Sequence, residues 1–151
     1  KGGGAGDIRE EKARMRANAR DLVRRCVANI LPNGVKAQVV CDYKLACIRY
    51  QGGIEAELTE RIALEERKQL PDAGLLKRLR FLKTAVVISS DGTNEAAFIT
   101  HARKEAARLN AVDNFCRPFD PDEPERTNTG IAFLIVCDML LTGVTTRRSS
   151  R

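Results

Sequence analysis

An α/β domain built on a parallel sheet is the fold class this sequence predicts, on three observations. Short apolar segments rich in β-branched residues alternate with longer segments whose apolar residues recur every three or four positions. The last apolar segment, Ile131-Ala132-Phe133-Leu134-Ile135-Val136-Cys137, is continuous rather than alternating, which is the pattern of a strand buried on both faces. Strands separated by helices need crossovers, and right-handed crossovers cover both faces of a parallel sheet. With 151 residues, one domain able to bury a sizeable core is the expectation.

Residues 1–7 are glycine-rich, have nothing to bury, and read as a flexible end or a remnant outside the fold. Asp7 and Glu10 have capping-box spacing, and Met15, Ala19, Leu22, Val23, Cys26, Val27 and Ile30 recur at helical spacing, so a first helix is expected from Ile8 to Leu31. Pro32-Asn33-Gly34 should end it in a turn, and Val35 to Cys41 reads as a short strand. Asp42 is the expected cap of a second helix that starts near Leu45, is interrupted or bent at Gly52-Gly53, and continues through Ile54, Leu58 and Ile62 to about Gln69.

Pro71-Asp72 should open a short third helix carrying Leu75, Leu76, Leu79 and Leu82. Thr84 to Ser89 is a second strand closed by Asp91-Gly92, and Phe98, Ala102, Ala106 and Leu109 mark the next helix. Asn110 to Gly130, with Pro118, Pro121 and Pro124 among acidic residues, is expected to be a long surface loop before the third strand. In open α/β sheets ligands bind beyond the carboxyl ends of the strands, so any site is expected at Asp138 to Gly143.

The formal charge of +6 favours contact with a polyanion, although twenty acidic residues dilute it. Arg14, Arg16, Arg20, Arg24 and Arg25 could follow phosphates or simply form a solvated helix face. The five cysteines (Cys26, Cys41, Cys47, Cys116, Cys137) are odd in number and contain no C-x-x-C pair, so they read as free thiols of a cytoplasmic protein. His101 is the sole histidine and belongs on a helix face rather than in a triad or metal site. No segment has the length and apolarity of a membrane span or a signal peptide, so no membrane contact is expected. The acidic residues Asp120, Asp122, Glu123 and Glu125 lack a cation-binding pattern and read as a solvated loop, so no metal ligands are assigned.

The segment Ile131 to Gly143 resembles motif V in the second motor domain of the restriction (R) subunit of type I restriction enzymes, DNA translocases of helicase superfamily 2. Lys36-Ala37-Gln38-Val39-Val40 with Ala46 and Arg49-Tyr50 is similar to the first strand and helix of that domain. Thr84 to Ser90, Asn110 to Cys116 and Pro118-Phe119 also fit the family, so the likeness spans about residues 8–143. It implies a three-layer RecA-like (P-loop NTPase-like) fold, here incomplete at its C-terminal end, with the final strand and helix missing and one edge and face left exposed. Motif V takes the form Thr-Asp-x-x-x-x-Gly-x-Asp. By that resemblance Cys137 stands at the DNA-facing hydroxyl position, Asp138 at the aspartate, Thr142 among the DNA-contacting residues, and Gly143 beside the nucleotide. Short residues in such a turn let backbone N–H groups approach phosphate oxygens; without the resemblance, Asp138 and Thr142 are a turn and cap after a strand.

The family continues past the glycine with an aromatic residue and then Asp-Ala-Pro, whereas this chain has Val144-Thr145-Thr146-Arg147-Arg148-Ser149-Ser150-Arg151. Codons for Asp-Ala-Pro-Ile-Glu-Gln written GAC GCG CCG ATC GAG CAG G become ACG CGC CGA TCG AGC AGG one base later. That encodes Thr-Arg-Arg-Ser-Ser-Arg, which is Thr146 to Arg151, so a shifted frame after Gly143 is the expectation and a basic DNA-touching tail the alternative. The resemblance implies ATP and Mg²⁺ as cofactors of the intact enzyme, with double-stranded DNA and the modification and specificity subunits as partners. No G-x-x-x-x-G-K-[ST] loop, nuclease pattern or later arginine motif occurs here, so this chain alone is expected neither to bind ATP tightly nor to hydrolyse it; no catalytic residue is assigned. A stand-alone, non-enzymatic DNA-binding α/β module is the alternative function.

Overall fold

The computed structural model describes residues 5–122 and 130–137. Its elements run α1 (Ala5–Asn33), β1 (Ala37–Cys41), α2 (Lys44–Glu66), α3 (Ala73–Phe81), β2 (Lys83–Val87), α4 (Ala97–Leu109), α5 (Ala111–Phe115) and β3 (Ile131–Cys137). The strands form one parallel sheet in the order β1-β3-β2, so the last strand in sequence is the central one. The chain is therefore a mixed α/β fold, and the unbroken apolar run of β3 has the predicted explanation: all seven residues are buried.

Lys83 pairs with Ile131 while Thr84 pairs with Phe133, so Ala132 is an extra residue in the β3 ladder. Beyond this bulge the side chains alternate. Phe133, Ile135 and Cys137 enter the larger core, formed with α1, α2 and the start of α4; Leu134 and Val136 enter a smaller one with Ala85, Ala106, Leu109, Ala111 and Phe115. The smaller core does not reach β1, whose Val40 is 48% exposed. Coverage of both faces thus holds for the central strand and fails at this edge.

Several local expectations shift. α1 takes in Pro32 and extends to Asn33, so the proline expected to end the helix lies inside its last turn. α2 begins after Tyr43, with no side-chain cap, so Asp42 is not its cap. Nor do Gly52 and Gly53 break α2, because Gly53 is where α1 crosses. A Cβ there would lie 3.2 Å from Ala19 Cβ and 3.3 Å from Arg16 Cδ, so tight helix packing offsets the poor helical propensity of glycine.

α3 starts as predicted, with Asp72 Oδ1 accepting from the Leu75 N–H at 3.1 Å. The expected surface loop from Asn110 instead begins with α5: Asn110 turns the chain in a left-handed conformation (φ 49°), and buried Asn114 donates to the Leu109 carbonyl at 2.6 Å. Lys36 anchors the far end of α5, donating to the Asn114, Phe115 and Arg117 carbonyls at 3.3, 2.8 and 2.5 Å. Burial pulls its ammonium down to about 8, opposed in part by the neighbouring Cys116.

Candidate functional site

Parallel pairing brings the carboxyl ends of the three strands to one edge, with Cys41 opposite Cys137 and Val87 opposite Val136. Two described loops flank the end of β3: Asp42-Tyr43 after β1, and residues 88–96 after β2. Lys44, the first residue of α2, ties them together. Its Nζ donates to the Ser89 carbonyl at 2.8 Å and to Asp91 Oδ1 at 2.5 Å, and its side chain is only 11% exposed.

The loop after β2 is organised around Glu95. One carboxylate oxygen accepts from Ser90 Oγ (2.9 Å) and the Asp91 N–H (3.0 Å); the other accepts from Thr100 Oγ1 (2.5 Å) and Arg103 (3.3 Å). The Thr100 hydroxyl and the Asp91 N–H, followed by Ser90 and Arg103, hold the Glu95 carboxyl down at about 2. A depressed carboxylate stabilises the fold above its ordinary value of 4.5, and that contribution is lost as pH falls towards about 2. Thermal unfolding midpoints across that window should fall less steeply in Glu95→Gln than in the wild type; parallel acid limbs would show that these bonds do not form in solution.

Of the residues the resemblance marks, Cys137 is described, whereas Asp138, Thr142, Gly143 and the 144–151 segment lie outside the described residues, as do Glu123 and Glu125. Cys137 is 3% exposed, and its thiol donates to the Asp42 carbonyl at 3.9 Å. The alternation of β3 turns this side chain into the core. Cys41 is its register partner on β1, and Cys47 of α2 belongs to the same buried core. Among the described residues no group of three or more metal donors is placed to hold an ion.

The arginines of α1 are divided by the fold. Arg16 Nη2 and Arg20 Nε meet the buried carboxylate of Glu57 at 3.0 and 3.4 Å, joining α1 to α2. Burial pushes Glu57 up, but the two guanidiniums more than offset it and keep the carboxyl below its usual range. Arg14, Arg24 and Arg25 remain exposed. His101 lies on an exposed part of α4, as expected, beside a cleft of about 500 Å³ between α2 and α4 along the outer strand β2. Across that cleft Gln51 donates to Thr84 Oγ1 at 3.0 Å, and Thr84 donates to Glu55 at 2.9 Å.

Sequence reasoning missed Lys44 and Glu95. Their signal was weak but present: a Ser-Ser-Asp-Gly turn directly after a strand, and a carboxylate just before the next helix. No protein-family model, curated protein or solved structure matches this chain. Among the described residues no helix is long and apolar enough to cross a membrane.

Proposed function

We propose that this chain is part of the ATP-driven DNA translocase of a type I restriction enzyme's R subunit, within its second, RecA-like motor lobe. The observation that supports the reading is that Ile131–Cys137, the strand resembling the start of motif V, is the central parallel strand, with two described loops flanking its carboxyl end. Ligands of open parallel sheets sit at that edge. Main-chain N–H groups of the 138–143 segment would meet the DNA backbone there, with Asp138 and Thr142 on the DNA side and Gly143 towards the nucleotide. Cys137 contributes through its position on the strand rather than through its thiol.

In the intact cytoplasmic enzyme the lobe closes on ATP and Mg²⁺ held mainly by its companion lobe, and partner modification and specificity subunits direct it to DNA. Closure of two lobes is the step that turns hydrolysis into displacement. The alternative, a stand-alone module gripping DNA through α1, is weakened because Arg16 and Arg20 are already engaged by Glu57.

Translating the source DNA past the Gly143 codon in all three frames tests the reading. Another frame should resume with Asp-Ala-Pro and later supply an arginine motif. If no frame does so, and the chain binds duplex DNA at low salt in a manner abolished by charge reversal of Arg24 and Arg25, the stand-alone module takes its place.

A further inference from the structure

We propose that the cleft between α2 and α4 binds a small organic cation, a primary ammonium carried on an apolar body, with Glu55 as its anchor. The cleft lies along the outer strand β2 and shares no residue with the two loops at the carboxyl edge, so the inference stands whether or not the motor reading does.

The wall contributed by α2 is a single stripe of that helix. Ile48, Gln51, Glu55 and Leu58 recur every three or four positions, which sets a polar pair between two apolar residues on one face. The floor is β2, where Thr84 fixes the direction of the hydrogen bonds. Its hydroxyl has one proton and gives it to Glu55 Oε2 at 2.9 Å, because a carboxylate only accepts. Gln51 must then approach the Thr84 oxygen with an amide N–H, as it does at 3.0 Å. This relay runs from Gln51 through Thr84 to Glu55 and leaves one acceptor oxygen over at each end, Gln51 Oε1 and Glu55 Oε1. A ligand that fits both must bring donors.

The charges around the cleft set the sign of that ligand. Arg108 is held by Glu105 at 2.8 Å, and Lys83 carries its ammonium 5.3 Å from the centre of the Phe81 ring. Glu55 is the lining carboxylate that no cation pairs with among the described residues. A compact ammonium supplies the missing charge together with three N–H donors. On the facing wall α4 contributes Phe98 and Ala102, which calls for a hydrocarbon or aromatic body behind the charge. At about 500 Å³ the cleft falls within the roughly 300–1,000 Å³ of small-molecule sites. A peptide is the poorer occupant: strand addition needs exposed main chain, whereas Thr84, Ala85 and Val86 are only 6, 2 and 4% exposed.

Phenylbutylamine is the probe, titrated into the purified chain while amide chemical shifts are followed by NMR. The expected result is saturable one-to-one binding with a Kd of about 1 mM or tighter, the shifts centred on residues 48–58, 83–86 and 98–109. Phenylbutanol and phenylbutyrate, which keep the body and lose the positive charge, should bind at least about tenfold more weakly. Glu55→Gln should weaken the amine by the same factor and leave the alcohol unaffected. Glu55 is exposed and glutamine can still accept from Thr84, so the variant keeps its fold. Glu60→Gln, exposed on α2 outside the cleft, should bind the amine as the wild type does. Equal affinity for amine, alcohol and carboxylate, unchanged amine binding in Glu55→Gln, or no saturation by about 10 mM amine would each overturn the proposal. An acetyl-capped lysine peptide that binds at the same amides more tightly than the amine would also overturn it, by giving the cleft to a protein partner.

Discussion

Phe133→Ala is expected to cost about 3–5 kcal/mol, the range for deleting a buried phenyl group. Folded domains hold roughly 5–15 kcal/mol in total, so this single change should remove a large share of the margin. Phe133 is 0% exposed on the central strand, flanked in register by Ala37 and Thr84, with its ring in the core that joins the sheet to α2. No neighbour can close the void without moving a strand. Urea unfolding followed by circular dichroism should show the midpoint falling with an unchanged slope. Phe133→Leu, which keeps most of the volume, should lose far less, and Val112→Ala, at a site 52% exposed, about 0.5 kcal/mol or less. Equal midpoints for Phe133→Ala and Val112→Ala would contradict the central position of β3.

The second large effect should come from a single methyl group at Gly130. This residue leads into β3 with φ +105°, a conformation that side-chain-bearing residues rarely adopt, and a Cβ would fall on the Phe81 carbonyl oxygen. The backbone cannot yield easily there, because the Lys83 N–H donates to the Gly130 carbonyl at 2.5 Å, linking the starts of β2 and β3. Strain alone amounts to about 1–3 kcal/mol, and relieving the clash adds to it, so Gly130→Ala should lose more than about 2 kcal/mol. Gly52→Ala supplies the contrast: it lies in mid-helix with open space around it, and alanine should add roughly 0.5–1 kcal/mol. Thermal melts of the two variants should move in opposite directions; a harmless Gly130→Ala would mean that the chain enters β3 by another path.

Much of the fold was legible because periodicity reports burial directly. β3 was readable from its unbroken apolar run, and α3 from Asp72 placed one residue before its helix. The errors cluster where a distant partner overrides a local preference. Gly52-Gly53 looked like a helix break because glycine is a poor helix former, and no local signal says that α1 will press on Gly53. Asn110 looked like the start of a loop for the same reason; the turn it makes delivers Ala111 and Asn114 to the face of β3.

The candidate site divides along the same line. Where the carboxyl end of β3 falls could be read from the chain, and ligands of open parallel sheets bind beyond such ends. Which residues surround that edge depends on strand order, and nothing local in the sequence distinguishes β1-β3-β2 from the sequential order. Only after β3 is inserted between the other two does Lys44 reach Ser89 and Asp91 across it, and only then do Cys41 and Cys137 become neighbours. Arg16 and Arg20 illustrate the point electrostatically: as residues they count towards a basic helix, but as parts of the fold they share the Glu57 carboxylate, 41 and 37 positions further along. Helix and strand identity were thus carried by the chain's own short-range pattern, because burial repeats every few residues along an element. Strand pairing and charge compensation arose from contacts between segments far apart in sequence, whose geometry exists only once the sheet has closed around its last strand.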